Sequence, residues 1–417
     1  MTEVEILVIG AGPAGIAAAV TAAAKGKEVL LCDLEPAPGG QIWRGAGPDH
    51  PQAGPWLARL ARSTVDYRPG WRCVGALDGG YLFEFPGGGE LVRPQKAILC
   101  LGARELLLPF PGWDLPGVTG AGALQALAKR GLDVRGRRIV LAGSGPLLLA
   151  AAETLKAKGA RVLCLLEQQT TWSLLRAGLA LLRDPGRLWQ SLKLLKTLGP
   201  GLIRPDSWVL EARGKGRLSS VLVRQGGRPR ALACDYLGVG FGLVANLELP
   251  ELLGCAIDKG AVLVDHNQAS SVPDLYCAGE TTGIGGCELA LLEGRIAALA
   301  ACGRPSVALQ RARDRAGKRA GRLLSAFGLR DEIRSLPRLE TPVCRCEGSS
   351  WGEIQLSESA RQARLQCRAG MGECQGRICG PALQFLKGWP ASAARRQPLA
   401  PCKVATLLSV KHTKEST

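Results

Sequence analysis

A glycine-rich turn close to the start of the chain constrains its fold more than any other feature. An apolar run, Val4 to Ile9, leads directly into Gly10-Ala11-Gly12-Pro13-Ala14-Gly15, and an alanine-rich helical stretch follows. A continuous apolar run of this length is typical of a central parallel strand that is buried on both faces. Strand, glycine turn and helix in this order predict a βαβ unit of the kind that binds a dinucleotide.

Each glycine of this turn has a separate physical role. Gly10 permits the tight turn, Gly12 lets the backbone approach a pyrophosphate, and Gly15 lets the helix pack closely on the strand. The N-terminus of the helix then presents backbone amides to the phosphates. A second apolar strand, Val29 to Cys32, ends at Asp33, 18 residues after Gly15. A carboxylate at that position is placed to accept hydrogen bonds from the ribose hydroxyls.

A second βαβ unit begins near residue 137 and carries an altered turn. Its strand leads into Gly143-Ser144-Gly145-Pro146-Leu147-Leu148, and a helix and a strand ending at Glu167 follow. Leu148 replaces the third glycine and should hold the helix away from the strand. Glu167 would repel the 2′-phosphate of NADPH. We therefore expect Gly143, Gly145 and Glu167 to form a second nucleotide site that is vestigial or holds an adenylate, with functional NADH binding as the less favoured alternative.

Composition and charge narrow the classes of function. A chain of 417 residues suits two or three domains. The net charge is +17, but the basic residues are scattered rather than grouped with aromatic ones. Nucleic-acid binding is therefore disfavoured, and a solvated basic surface or an acidic protein partner explains the charge. Only three histidines occur, without metal-ligand spacing, which excludes a histidine-rich metal hydrolase.

Targeting signals and membrane spans are not expected. No apolar stretch reaches 18 residues, and the chain passes from its first residues directly into the apolar strand without a leader pattern. These features predict a cytoplasmic protein with no transmembrane segment.

Four of the 15 cysteines are grouped towards the end of the chain. Cys344 and Cys346 form a C-x-C pair, and after 27 residues Cys374 and Cys379 form a C-x4-C pair. By ligand count, four thiolates suit tetrahedral zinc and an iron–sulfur cluster equally, and unligated thiols are a third interpretation. The two dinucleotide-binding units contain no C-x-x-C or C-x4-C pair, so disulfide reduction is excluded as their chemistry.

Two further segments indicate which dinucleotide the first site binds. The first unit continues with Pro36-Ala37-Pro38-Gly39-Gly40-Gln41, and a late strand segment, 271–278, is followed by Gly279-Glu280. Together they resemble the FAD-binding half of the pyridine nucleotide–disulfide reductase superfamily. The resemblance implies that Glu280 hydrogen-bonds the ribityl–phosphate region of the flavin, and that the next helix, starting near Gly286, points its N-terminus at the flavin. The implied FAD-binding positions are Gly10, Gly12, Pro13, Ala14, Gly15, Asp33, Gly40, Gln41, Ala103, Gly279, Glu280 and Gly286.

The cysteine unit supports a narrower resemblance. Its C-x-C and glycine-bracketed C-x4-C pairs resemble the small helical 2Fe–2S domain of bacterioferritin-associated ferredoxin, which favours a 2Fe–2S cluster over zinc at Cys344, Cys346, Cys374 and Cys379. With segments 100–105 and 109–118, the unit resembles the FAD-containing α subunit of heteromeric amine and imino-acid dehydrogenases. That group includes D-hydroxyproline dehydrogenase, opine oxidases and hydrogen cyanide synthase.

This family resemblance implies partners and additional cofactors. In the family, the substrate is oxidised on a separate β subunit that has its own FAD and resembles glycine and sarcosine oxidases. The α subunit relays electrons through flavin and iron–sulfur centres. Some members add a small ferredoxin-like γ chain, and some hold an FMN at the α–β interface.

The expected fold class is α/β, with two nested Rossmann-like domains of the disulfide-reductase type and a small helical C-terminal 2Fe–2S domain. The FAD domain is split between residues 1–125 and 231–305. An NAD(P)-like domain, 126–230, is inserted between these parts and carries a helical insertion at about 170–198, which either packs on its own domain or docks a partner subunit. A linker (306–340), the cluster domain (341–400) and a tail (401–417) follow; within the tail, 405–410 is apolar enough to dock as a short element.

Three functions compete at this point. The leading hypothesis is an electron-transfer subunit of a heteromeric dehydrogenase for an imino acid or secondary amine, with D-hydroxyproline ahead of opines and glycine. The alternative is a self-contained NADH-dependent reductase that feeds an external electron carrier, and a non-enzymatic scaffold is the weakest. No acid–base group for substrate chemistry stands out, since His50 and His266 are isolated in the sequence, and no catalytic residue is assigned. This absence favours the relay subunit.

Overall fold

The structure, a computed structural model, describes residues 2–47, 49–181, 196, 198–199, 201–390 and 396–409. The chain divides into two compact units. One comprises Met1–Arg104, Val244–Ala320 and Ala394–Thr417, and the other comprises Glu105–Leu243 and Gly321–Ala393.

The β-strands are numbered in chain order. They are β1 Thr2–Ile9, β2 Val29–Asp33, β3 Asp66–Pro69, β4 Arg72–Leu77, β5 Gly80–Phe85, β6 Gly88–Leu99, β7 Ala103–Glu105, β8 Val118–Gly120, β9 Arg138–Gly143, β10 Arg161–Glu167, β11 Ile203–Arg204, β12 Ser207–Arg213, β13 Ser220–Gln225, β14 Arg228–Ala233, β15 Tyr236–Gly240, β16 Leu243–Ala245, β17 Ile257–Asp258, β18 Ala261–Val262, β19 Leu275–Cys277, β20 Pro342–Cys344 and β21 Ser349–Ser350.

The α-helices are numbered in the same way. They are α1 Pro13–Ala23, α2 Ala53–Ala61, α3 Ala121–Lys129, α4 Pro146–Ala157, α5 Thr171–Leu181, α6 Glu248–Leu252, α7 Cys287–Ala301, α8 Val307–Leu324, α9 Trp351–Gln355, α10 Ala360–Cys367, α11 Cys379–Lys387 and α12 Val404–Leu408. Short 3₁₀ turns cover Gly279–Thr282, Ser325–Phe327 and Asp331–Ser335.

The first unit is built on one sheet in the order β3-β2-β1-β6-β5-β4, with β19 paired to β6. β1 pairs in parallel with both β2 and β6. Its Leu7 and Val8 have no exposed surface, as expected for a central strand covered on both faces. The carboxyl ends of β1 and β2 therefore lie side by side, which places the glycine turn next to Asp33.

The second unit contains a fully parallel sheet, β11-β10-β9-β15-β8, and an antiparallel sheet, β12-β13-β14. Apolar residues of β9, β10 and β15 form its core, among them Val140, Leu166 and Leu237. The second glycine turn, 143–148, follows β9 in the same way that the first turn follows β1.

The cysteine unit belongs to this second compact unit. Its own core consists of Val343, Ile354, Ala363, Leu383 and neighbouring residues of the β20–β21 hairpin and helices α9 to α11. It also packs on the α/β part of the second unit. The Trp113 indole N–H donates to the Pro342 carbonyl, Arg345 lies over the Trp113 ring at 5.0 Å, and Ile333 and Ala382 share one apolar core with Trp113.

The last described residues return to the first unit. The Leu399 backbone N–H donates to the Val74 carbonyl at 2.7 Å, and Glu84 accepts from the Lys403 backbone N–H at 2.6 Å and from the Thr406 hydroxyl at 3.0 Å. Helix α12 thus lies on strands β5 and β6, within the segment that the sequence predicts as a tail.

Part of the expected helical insertion at 170–198 is seen as α5. The second helical stretch of that prediction, after Pro185-Gly186, lies outside the described residues. On α5, Trp172 and Leu175 are exposed. No described helix is long and apolar enough to cross a membrane.

Candidate functional site

The first glycine turn has a backbone that larger residues cannot adopt. Gly10 has φ +104°, and a Cβ there would lie 2.2 Å from the Cys100 carbonyl oxygen. A Cβ at Gly15 would lie 1.7 Å from the Gly10 carbonyl oxygen. By contrast, a Cβ at Gly12 would have no protein atom within 4 Å. The turn is therefore tight where strand and helix meet and open where a pyrophosphate would approach.

Asp33 ties the end of β2 to this turn. Its carboxylate accepts from the Ala11 backbone N–H and, at 2.7 Å, from the Glu35 backbone N–H. Burial raises the pKa of Asp33, and these two backbone donors oppose that rise. The carboxylate is thus fixed beside the open side of the turn, where a ribose of a bound dinucleotide would lie.

The segment after β2 closes against the same turn. The Gly39 backbone N–H donates to the Ala11 carbonyl at 2.8 Å. Gly40 has φ +58°, and a Cβ there would lie 3.0 Å from the Cα of Gly12. Gln41 is exposed. This close approach requires glycine at position 40, and a φ of +122° favours glycine at position 39.

The segment 279–286, from the later part of the first unit, also lies at the first glycine turn. A Cβ at Gly279, which has φ +73°, would lie 2.8 Å from the Ala14 side chain, and a Cβ at Gly294 would lie 2.1 Å from the Ala14 carbonyl oxygen. Helix α1, which starts at Pro13, and helix α7 therefore pack without intervening side chains. Residues 10–15 and 279–286 form one cradle, and Gly286 (φ +81°) begins α7 at its edge.

Glu280 lies in this cradle with its hydrogen-bonding capacity unused. Burial alone raises the pKa of its carboxyl, and no described residue forms a hydrogen bond or ion pair with that group. A half-buried carboxylate without a partner in the protein is available to accept hydrogen bonds from a ligand. The hydroxyls of FAD are suitable donors, so the cradle fits FAD. Ala103, the remaining predicted position, lies on β7 directly after Gly102, whose carbonyl accepts from the Asn246 backbone N–H at 3.0 Å.

Glu293 is a functional position that the sequence analysis missed. It is buried on α7, and its Oε2 accepts from the Gly279 backbone N–H at 2.9 Å and lies 3.0 Å from the Thr282 hydroxyl. Burial raises the pKa of Glu293 to about 7. This side chain holds the turn that carries Glu280. The available signal was an acid in the middle of a helix whose buried positions are otherwise alanine, glycine and isoleucine.

The second glycine turn departs from the dinucleotide-binding pattern at its third glycine. Glu167 is buried, and its oxygens accept from the Ser144 hydroxyl at 2.8 Å, the Gly145 backbone N–H at 2.9 Å and the Gln169 backbone N–H at 3.0 Å. Backbone N–H groups of its own loop thus hold this carboxylate, as they hold Asp33 at the first turn, and the Ser144 hydroxyl is an additional donor. Leu148 is buried at the position of the third glycine.

The four clustered cysteines lie in two pairs. The thiols of Cys344 and Cys379 are within hydrogen-bond reach of each other, and so are those of Cys346 and Cys374. The hydrogen bond from Cys379, together with backbone donors such as the Gly370 N–H at 3.4 Å, lowers the pKa of Cys344 to about 5. Cys344 and Cys379 are buried, whereas Cys346 is exposed.

Glycines leave room around these thiols. A Cβ at Gly372 would lie 2.3 Å from the Cys346 Cβ, and one at Gly370 would lie 3.7 Å from the Cys379 sulfur. In the described part of the chain, no three His, Cys, Asp or Glu side chains are gathered as a metal-binding group. Two pairs of thiols with backbone N–H donors are nevertheless the donor set that a 2Fe–2S cluster needs, two thiolates at each iron. Cys367, outside this set, donates to the Ala363 carbonyl at 3.0 Å.

Comparison with known proteins agrees with this geometry. Residues 5–65 match the family described as FAD dependent oxidoreductase. The chain is 34% identical to an opine oxidase subunit of Rhizobium meliloti, over 92% of each chain. It is 33% identical to hydrogen cyanide synthase subunit HcnB of Pseudomonas aeruginosa, over 89% of this chain and 90% of HcnB.

A solved structure shows a similar fold. L-proline dehydrogenase from P. horikoshii superposes with a TM-score of 0.65 at 17% identity, over 97% of this chain and 79% of that one. The predicted α/β fold class is confirmed.

Proposed function

The chain belongs to the family of FAD-dependent oxidoreductase subunits that includes HcnB and its opine oxidase counterpart, and from that membership we propose that it is the electron-transfer subunit of a heteromeric enzyme that oxidises an amine or imino acid. The observation that carries the proposal is the presence of an FAD cradle and a four-cysteine unit in one chain. When bound, FAD would accept two electrons and release them singly, and a 2Fe–2S cluster would take one at a time.

Residues of the first unit hold FAD in this proposal. Gly12 would leave space for the pyrophosphate, Asp33 would accept from the ribose, and Glu280 would accept from the flavin side chain. Glu293 is a positioning residue, since it fixes the turn of Glu280 through the Gly279 N–H. The N-terminus of α7 directs backbone amides towards the flavin and favours negative charge there.

Residues of the second unit hold the cluster. Cys344, Cys346, Cys374 and Cys379 are its ligands, and the Gly370 N–H stabilises negative charge on the Cys344 sulfur. Exposure of Cys346 leaves this edge of the cysteine unit accessible to a partner.

In the proposed enzyme, the substrate is oxidised on another subunit. We assign that step to a β subunit resembling glycine and sarcosine oxidases, with a ferredoxin-like γ chain and an interfacial FMN as further components to be sought, and D-hydroxyproline as the first substrate to test. The NADH-dependent alternative has less support, because Leu148 is buried at the position of the third glycine of the second turn.

The test compares two cysteine variants in the purified chain. Cys346→Ser should lose iron, acid-labile sulfide and the visible absorption of the cluster while FAD remains bound. Cys367→Ser, in the same domain but outside the ligand set, should keep all three. Equal iron content in the two variants would contradict the ligand assignment. The complex with a co-expressed β subunit should then reduce an artificial acceptor with D-hydroxyproline, opines or glycine, and failure with every amine tried would contradict the proposed function.

A further inference from the structure

The second glycine turn is closed tightly at its first glycine, as the first turn is. Gly143 has φ +142°, and a Cβ there would lie 1.9 Å from the Gly240 carbonyl oxygen. Gly145, the position at which a pyrophosphate would approach, has φ +96°. A loop of this shape presents a concave backbone surface to whatever lies over it.

A side chain of the same chain lies over that surface. The closest atoms to a Cβ placed on Gly145 are the Cβ and Cγ of Phe327, each at 3.8 Å. A side chain at position 145 would therefore be in van der Waals contact with Phe327. At the equivalent Gly12 of the first turn, no protein atom lies within 4 Å. Gly12 has φ −75°, so the two turns differ at this position in backbone conformation as well as in what lies beside the glycine.

Hydrogen bonds hold the segment around Phe327 on both sides. The Ser173 hydroxyl donates to the Ala326 carbonyl at 3.1 Å, and the Gln169 side-chain amide donates to the Gly328 carbonyl. Ser173 lies on α5, and Gln169 directly follows the strand that ends at Glu167. The backbone carbonyls next to Phe327 are therefore satisfied by the rim of the second turn.

Arg330 fixes the far end of this segment. Its backbone N–H donates to the Gln168 side chain at 3.2 Å, and its guanidinium donates to the Gln168 carbonyl at 3.1 Å. The guanidinium also pairs with Asp206 and lies over the Trp208 ring at 4.7 Å. Gln168 has no exposed surface, so this end is set into the protein interior.

We propose that the second dinucleotide site has become an intramolecular docking site for residues 325–330, with Phe327 in the place of a pyrophosphate. The segment links α8 to the cysteine unit, so the former nucleotide loop anchors the linker that leads to the proposed cluster domain. The site therefore binds neither NADH nor ADP in the native protein. This inference concerns the second unit alone and does not depend on the substrate proposed above.

The experiment measures binding and loop exposure in three FAD-loaded proteins: the native chain, Phe327→Ala and Leu324→Ala. Leu324, at the end of α8, is partly exposed and is not among the atoms closest to Gly145, so its variant is the matched control. Hydrogen exchange followed by mass spectrometry reports on residues 143–149. Titration calorimetry with NADH, and separately with ADP, reports on the site itself.

The native chain and Leu324→Ala should bind neither ligand at concentrations up to about 1 mM. Phe327→Ala should show faster exchange in 143–149 and bind ADP with an affinity at least about tenfold above the native limit. NADH or ADP binding by the native chain overturns the proposal. So does unchanged exchange in Phe327→Ala, because the segment would then not cover the loop. Faster exchange without any gain in ADP binding also overturns it, because the segment would then not be what excludes the ligand.

Discussion

Replacing Glu293 by Gln tests the FAD cradle through a buried proton. The Thr282 hydroxyl lies 2.9 Å from the Gly279 carbonyl and 3.0 Å from Glu293 Oε2, yet a hydroxyl has one proton to donate. If Glu293 is protonated, its own O–H donates to Thr282, and Thr282 donates to Gly279. Burial therefore favours the neutral acid and raises the pKa of Glu293 to about 7 from an ordinary 4.5.

The raised pKa of Glu293 determines the sign and size of its contribution to the free energy of unfolding. A carboxyl whose pKa is higher in the folded than in the unfolded state stabilises the fold fully below pH 4.5 and loses that contribution as pH rises through 7. Between pH 5 and pH 8, the free energy of unfolding of the native chain should fall by about 2.5 kcal/mol because of this group. Gln keeps an acceptor for the Gly279 N–H but does not titrate, so this fall should vanish.

The assay is urea unfolding of the FAD-loaded protein at several pH values. The free energy of unfolding of the variant is subtracted from that of the native chain at each pH, so that the contributions of all other titrating groups cancel. Glu153→Gln, which changes an exposed carboxylate on α4, is the matched control and should run parallel to the native chain. If the free energy of unfolding of Glu293→Gln also follows that of the native chain over this pH range to within about 0.5 kcal/mol, Glu293 is ionised in the folded state. That result would refute the protonated carboxyl proposed here.

Three other perturbations probe the remaining contacts. Gly15→Ala should abolish FAD retention because the new Cβ would meet the Gly10 carbonyl at 1.7 Å, whereas Gly317→Ala, with open space around it, should retain FAD after gel filtration. Glu280→Ala should raise the FAD dissociation constant about tenfold, as measured by fluorescence, since one charge-assisted hydrogen bond is lost; an unchanged constant would remove Glu280 from the site. Glu84→Ala should release the segment 403–409, which that carboxylate holds through two hydrogen bonds, and speed tryptic cleavage after Lys403; equal cleavage rates would contradict this role.

The parts of the fold that depend on local sequence were predictable. Gly15 is required by its close approach to the Gly10 carbonyl within one βαβ unit, and Gly10 has the positive φ of a tight turn, so a short motif identifies both. The same holds for Asp33, which ends the strand next to that turn. Glu280 could be placed only through family resemblance, because its position depends on a strand that pairs with β6 from far along the chain.

Other features arise from contacts between residues distant in sequence. Phe327 reaches Gly145 across more than 180 residues, and nothing in the residues around Phe327 signals a loop-covering role. The docking of the cysteine unit through Trp113, and the return of the C-terminal segment to β5, depend in the same way on tertiary packing. Glu293 had a local signal, an isolated acid on an apolar helix face, but its partner Gly279 becomes evident only in three dimensions.

The central claim is that this chain carries FAD and a 2Fe–2S cluster and takes its electrons from a partner rather than from NADH. An anaerobic visible-absorption titration of the purified chain, with stoichiometric NADH followed by dithionite, tests it most directly. The account predicts no change with NADH, and loss of both the flavin and the iron–sulfur bands with dithionite. Bleaching by stoichiometric NADH, or a preparation that shows no iron–sulfur absorption after reconstitution, would contradict it.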